Sequence, residues 1–242
     1  MKNYKLKIFC DFDGTITKKD VWINSLGKFI NDKEKFETVC EDFNAEKING
    51  RQANEKLLEL VENFSFDKFN EYLNSEEIDE YFKNFIEYCR EKDHEVIIVS
   101  GGYEYYIDFI LKKEHIDMKF FGCELKQSDD KKLSNVYLYS DEYCQICETC
   151  KRNILLDNTN DLDNEVSVYI GDGISDQCVS RFADIVFAKG KLASYCWKNN
   201  ITYFEYKNFS DIKNKIIKLI GTNMIKHRQE AKVRRRDVFL GG

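Results

Sequence analysis

The chain has 242 residues, 43% of them hydrophobic, with 18 Phe and 14 Tyr. That is ample for one domain with a large insertion, or for two modest ones, and it excludes a disordered chain. Acidic residues outnumber basic ones by 43 to 37, and the net charge of −6 argues against nucleic acid or an anionic membrane as partner, since both reward a basic face.

Leu6 to Cys10 is a short apolar run that reads as a buried strand, and it leads straight into "DFDGTIT" with Asp11 and Asp13. From Val21 to Asn74 the spacing turns helical. Trp22, Leu26, Phe29 and Ile30 recur three and four apart, and Leu57, Leu58, Leu60 and Val61, then Phe66, Phe69 and Leu73, continue the pattern beyond the turn signal "KINGRQ". No strand candidate interrupts this stretch, so it reads as a small helical insertion after the first strand.

Strands and helices then alternate. Tyr81 to Arg90 is helical, "EVIIVSGG" is a β-branched run ending in two glycines, "YEYYIDFILKKEHI" is a helix, "KFFGCEL" a strand and "KLSNVYLYS" a hairpin arm. A cysteine cluster and a helix near Asn153 to Leu156 precede "VSVYIGDGISD", a strand that runs into a turn and a short helix through Phe182. "DIVFAK" and "ITYFEY" complete the strands, with helices at about 191–199 and 209–220. Such alternation implies βαβ units and an α/β fold with a Rossmann-like, mainly parallel sheet. Residues 1–17 and 78–222 are expected to form the core, 18–77 the helical insertion, and 223–242 a basic tail. The tail holds four of the eight arginines and is expected to be a solvated terminal extension.

The start "MKNYKLKIFCDFDG" lacks the apolar stretch and small-residue cleavage site of a secretory signal, and no apolar run approaches the roughly 20 residues that span a bilayer. The nine cysteines, an odd number, then point to reduced thiols in a cytoplasmic protein. With only His94, His115 and His227 in the chain, histidine-based catalysis is a poor fit.

The polar clusters fall at strand ends: Asp11 and Asp13 after the first strand, Ser100-Gly101-Gly102 after another, and Asp172, Ser175 and Asp176 after a third. Each alone reads equally well as a tight turn or a helix cap. Together, at the carboxyl ends of a parallel sheet, they would form one pocket. Crowded carboxylates are costly unless a cation or a shared proton relieves them. Four carboxylates without histidine suit a hard, oxygen-seeking ion, of which Mg²⁺ is the usual one. A hydroxyl, glycine amides and a lysine suit a phosphate, and a carboxylate beside both can attack phosphorus.

"DFDGT", "SGG", a lysine and "GDGISD", in this order, resemble the haloacid dehalogenase superfamily of phosphatases, and the resemblance runs to about residue 220. The helical insertion resembles the cap of the phosphoserine-phosphatase-like branch. "DFDGTIT" with Asp20, "YIGDGISD", "ADIVFAKGKL" and "CETCK" look most like the methylthio-pentenyl phosphate phosphatases of methionine salvage and the phosphoethanolamine/phosphocholine phosphatases. The resemblance implies that Asp11 is the nucleophile and a magnesium ligand, and that Asp13 is the acid/base and offers its main-chain carbonyl to the metal. It implies further that Ser100, the Gly101 amide and Lys151 hold the phosphate, with Asp172 and Asp176 at the metal. Where phosphoserine phosphatases carry a glutamate in the cap, this chain has the shorter Asp20, which weakens phosphoserine as the substrate.

A magnesium-dependent phosphatase acting on a small phosphorylated metabolite is therefore expected, with a phosphoserine phosphatase as the alternative. A non-catalytic phospho-receiver or metal-binding regulator is the further alternative. Cys144, Cys147 and Cys150 form two C-x-x-C steps; packing that positions Lys151 is the first reading, and the alternatives are a structural Zn²⁺ site, completed by Cys123 if the hairpin folds back, or a redox pair. The oligomeric state leaves no mark on the sequence.

Overall fold

The computed structural model describes residues 4–161 and 164–240. In chain order it forms β1 (Lys5–Cys10), α1 (Val21–Asn24), α2 (Lys33–Asn44), α3 (Gly50–Glu59), α4 (Phe66–Asn74), α5 (Phe82–Glu91), β2 (Glu95–Tyr103) and α6 (Glu104–Lys113). There follow β3 (Lys119–Gln127), β4 (Leu133–Val136), α7 (Lys151–Asp157), β5 (Glu165–Gly171), α8 (Gln177–Ser180), β6 (Ile185–Ala188), α9 (Gly190–Lys198), β7 (Phe204–Glu205), α10 (Phe209–Gly221) and α11 (Gln229–Phe239). The strand order is β4-β3-β2-β1-β5-β6-β7. The pairs β1–β2, β1–β5, β5–β6 and β6–β7 are parallel, and the β3–β4 hairpin is antiparallel, so the α/β expectation holds.

The chain divides into two compact units, one running up to Asp11, over Ile78–Val99 and from Lys151 on, the other made of Phe12–Glu77 and Ser100–Cys150. The chain passes between the units at Asp11–Phe12, Glu77–Ile78, Val99–Ser100 and Cys150–Lys151, the third of these within β2. In the first unit, β1 and β5 pair residue for residue from Lys5↔Glu165 to Cys10↔Ile170. Val166 to Gly171 is buried throughout, which is why a parallel strand covered on both faces reads as an unbroken apolar run. Phe209 at the start of α10 meets Phe82 and Phe85 of α5 at ring distances of 4.8 and 5.2 Å. Asn208 and Asp211 close a capping box there, satisfying amides that the first helical turn leaves without partners.

The tail departs from the expected solvated extension. It forms α11, in which Ala231 and Arg235 are buried. The Arg235 guanidinium reaches Asp161 at 2.7 Å and Asp184 at 3.0 Å and donates to the Phe182 carbonyl. The Arg228 amide donates to Asp184, and His227 lies 3.3 Å from the same carboxylate. A charge this well partnered no longer favours water over the protein. Gly241 and Gly242 lie outside the described residues.

In the second unit, α1 to α4 lie within the segment read as helical. Asp20, Asp32, Asn49 and Ser65 cap the four helices, each side chain accepting a backbone N–H of the first turn. Phe29, Phe64, Phe66, Phe69 and Tyr105 form an aromatic cluster with ring distances from 4.7 to 6.3 Å. Among the described residues no helix is long and apolar enough to cross a membrane.

Candidate active site

The first unit gathers Asp11, Lys151, Asp172 and Asp176. Asp11 follows the last residue of β1, and its amide donates to the Ile170 carbonyl of β5 at 2.9 Å, so it extends the sheet by one rung. Lys151 opens α7, Asp172 follows β5, and Asp176 precedes α8. The Lys151 ammonium is buried and donates to Asp11 Oδ1 at 2.6 Å, Asp176 Oδ1 at 2.7 Å and Ser175 Oγ at 3.0 Å. Asp176 is fully saturated: Tyr169 donates its hydroxyl to Oδ1 at 2.5 Å, and the amides of Asp172 and Gly173 both donate to Oδ2 at 2.9 Å.

One carboxylate oxygen from each of Asp11, Asp172 and Asp176 lies within 4.8 Å of the others. Burial, then the charge of Asp176, pushes the Asp11 carboxyl well above the usual range, although Lys151 pulls the other way. Burial would lower Lys151, but Asp11 and Asp176 outweigh it and raise the ammonium further. Both shifts report one imbalance: the oxygens of three carboxylates converge, and Lys151 pairs with two of them. An arrangement of this kind fits a hard divalent ion held by oxygen ligands.

The second unit gathers Asp13, Ser100 and two groups that sequence reasoning missed or gave another role. Asp13 Oδ1 accepts the Val21 amide at 2.9 Å, while Oδ2 accepts the hydroxyls of Tyr106 at 2.7 Å and Ser100 at 3.1 Å. Ser100 Oγ in turn accepts the Gly102 amide at 2.9 Å. Burial, then the charge of Asp20, pushes the Asp13 carboxyl up to about 7, against the pull of its three donors. Gly14 follows with φ +71°, a left-handed turn that a residue with a side chain resists, and this explains the glycine of "DFDGT". Asp20 caps α1 by accepting the Ile23 amide at 3.0 Å, so a structural task accompanies its electrostatic effect on Asp13. Beside Gly101 lies Glu148, with Oε2 3.2 Å from the place a Cβ would occupy.

The four cysteines are not brought together. Among the described residues, ligand atoms converge within 4.8 Å only in the Asp11/Asp172/Asp176 group and in a second group of Asp161, Asp184 and His227. Asp141 accepts the Cys144 amide, Arg51 binds the Cys147 carbonyl at 2.7 Å, and the Cys150 amide donates to Tyr139 at 2.7 Å. Cys123 is buried on β3 with its sulfur 3.6 Å from the Thr149 hydroxyl. Each of Cys144, Cys147 and Cys150 has a main-chain bond of its own, and a C-x-x-C spacing alone does not gather the sulfurs.

Tyr106 and Tyr169 carried no signal in the sequence. Tyr169 sits two residues before Gly171 in an apolar strand, and Tyr106 is one of three tyrosines between 103 and 106.

The model of the haloacid dehalogenase-like hydrolase family matches residues 8–181. A 2-hydroxy-3-keto-5-methylthiopentenyl-1-phosphate phosphatase of Bacillus cereus is 27% identical over 223 residues, covering 90% of this chain and 99% of its own. The enzyme of the same name from Bacillus anthracis is also 27% identical, with the same coverage. Among solved structures, a substrate-bound phosphoserine phosphatase complex superposes with a TM-score of 0.67 at 20% identity, over 89% of this chain and 99% of that one. A phospho-aspartyl intermediate analogue of phosphoserine phosphatase gives 0.65 at 20% identity, over 86% and 95%. At that identity the likeness is one of fold. The chain belongs to the haloacid dehalogenase-like hydrolase family, and its enzyme class is that of a phosphomonoester hydrolase.

Proposed function

We propose that the chain is a magnesium-dependent, cytoplasmic phosphatase that hydrolyses a small phosphorylated metabolite through an aspartyl-phosphate on Asp11. The observation that carries this reading is the charge imbalance at Asp11: a buried carboxylate with two carboxylate neighbours and one ammonium. Asp11 and Asp172 would hold magnesium, and they fit it, since their oxygens converge amid an excess of negative charge; Asp176, its acceptor positions already filled, would orient them. When bound, the ion supplies the positive charge that allows an anionic carboxylate to approach an anionic phosphate.

Asp11 attacks phosphorus as the ester P–O bond breaks, and the proton of the Asp13 carboxyl passes to the departing alkoxide. Water then attacks the aspartyl-phosphate, returns a proton to Asp13, and leaves Asp11 and inorganic phosphate. Only one residue separates the two carboxylates, so chain geometry limits their Cα atoms to about 7 Å apart. A carboxyl pushed up to about 7 holds a proton to give near neutral pH, which supports catalysis over a passive phospho-receiver. We assign Ser100 and the Gly101 amide to the phosphoryl oxygens, Lys151 to charge neutralisation, and helices α1 to α4, in segment 18–77, to substrate selection. Nine free thiols agree with a reducing compartment.

The test is phosphate release from a panel containing the methylthio-pentenyl phosphate, phosphoethanolamine, phosphocholine and phosphoserine, with magnesium and with excess chelator. Release that depends on magnesium is expected. Full activity in chelator would overturn the metal assignment, and no release from any phosphomonoester would overturn the reading itself.

A further inference from the structure

We infer that Tyr106 is a positioning residue for Asp13, and that the second glycine of the "SGG" turn is a glycine because the Tyr106 phenol occupies the place of its side chain. The inference rests on the reading of Asp13 as acid/base and adds a residue to it.

A carboxyl group that gives and retrieves a proton must keep one orientation through both steps, because proton transfer depends steeply on distance and alignment. Asp13 is held by three donors from three places in the second unit: the Val21 amide at the start of α1, Ser100 on β2, and the Tyr106 hydroxyl on α6. The phenol makes the shortest of the three bonds, at 2.7 Å. It is also rigidly seated. Tyr106 is wholly buried, its ring stacked on Phe12 at 6.1 Å and edge-on to Tyr103 at 6.1 Å.

Gly102 completes the argument. A Cβ built there would lie 1.5 Å from the Tyr106 hydroxyl oxygen, 2.4 Å from Cζ and 2.7 Å from Asp13 Oδ2. No side chain fits while the phenol bonds Asp13. The Gly102 amide donates to Ser100 Oγ, whose single proton points at the same Asp13 oxygen and would turn to the phosphoryl group once substrate binds. Ser100, Gly102 and Tyr106 therefore act together on Oδ2, and of these Tyr106 is the one side chain with no assigned contact to the phosphate.

Removing the phenol oxygen leaves the ring packing in place and frees one side of the carboxyl. The damage should fall on the step that needs the acid, the departure of an alkoxide. An aryl phosphate such as p-nitrophenyl phosphate releases a stable phenolate and does not need it.

The experiment is first-turnover release of alcohol from β-glycerophosphate and from p-nitrophenyl phosphate, by the intact protein, Tyr106→Phe and Asp13→Asn, with magnesium present. Tyr106→Phe is expected to slow glycerol release by about 10–100-fold, the scale of an ångström's misplacement, with KM little changed. Its first-turnover release of p-nitrophenol should stay near that of the unaltered protein, which also shows that the variant is folded. Equal slowing of both substrates by Tyr106→Phe, or no slowing of either, overturns the inference when Asp13→Asn still shows the asymmetry. If Asp13→Asn shows none, the acid/base reading fails, and the role of Tyr106 with it.

Discussion

The first unit holds two clusters built from similar parts, and they differ in one respect. In the first, the oxygens of three carboxylates (Asp11, Asp172 and Asp176) converge, and the Lys151 ammonium pairs with two of them, Asp11 and Asp176. Around Arg235, two carboxylates (Asp161 and Asp184) face a guanidinium, with His227 3.3 Å from Asp184 and the Arg228 amide bonded to it. Both groups bring ligand atoms within 4.8 Å, so proximity does not separate them. Charge balance does. In the first cluster Asp11 is pushed above the ordinary carboxylate range. In the second, burial would raise Asp184, but His227, Arg235 and Ser167 outweigh it and hold the carboxyl below that range. A cluster short of positive charge suits an added cation and an anionic substrate; a balanced one is a fastener for α11.

Replacing the buried cation in each cluster sharpens this contrast. Arg235→Met should cost about 3–5 kcal/mol of folding stability, the usual effect of stranding a buried charge, while the folded protein keeps its turnover. Urea unfolding at several pH values checks it. Because the folded value of Asp184 lies below its unfolded value, its contribution is full above the ordinary aspartate pKa of about 3.9 and is lost as pH falls through the folded value. The gap between Arg235→Met and the unaltered protein should therefore shrink in acid. A gap that widens in acid would break the comparison.

Lys151→Met also strands buried carboxylates, and beyond that loss of stability it should lower the kcat of the folded protein by about 10²–10³-fold, as expected for losing one preorganised donor that stabilises developing charge. Steady-state phosphate release measures this. Turnover retained in Lys151→Met and lost in Arg235→Met would reverse the assignment of the two clusters.

The contrast also shows what a sequence carries. Asp11, Asp172 and Asp176 were legible because each follows a strand within a few residues, and local order sufficed to place them. Lys151 was legible through "CETCK". Arg235 was not: its partners Asp184 and Asp161 lie 51 and 74 residues away, and in "RRR" nothing separates it from Arg236, which is exposed and pairs with its neighbour Asp237. The tyrosines of "YEYY" make the same point. Tyr103, at the end of β2, bonds Asn54 and Asn135; on α6, Tyr105 bonds Asn70 and Tyr106 bonds Asp13, because neighbouring positions on a helix face different ways. The cysteines left three readings open, and zinc-like spacing alone did not make their sulfurs converge in a group of ligand atoms.

If the crowded carboxylate at the end of β1 takes the phosphoryl group, acid-quench trapping followed by peptide mapping will find it there. With magnesium and a substrate from the panel, a phosphorylated protein is expected, with the acid-stable, hydroxylamine-sensitive label of an acyl phosphate on Asp11. Asp11→Asn should carry no label and release no phosphate. Phosphate release by Asp11→Asn, or a label mapped to another residue, would contradict the account.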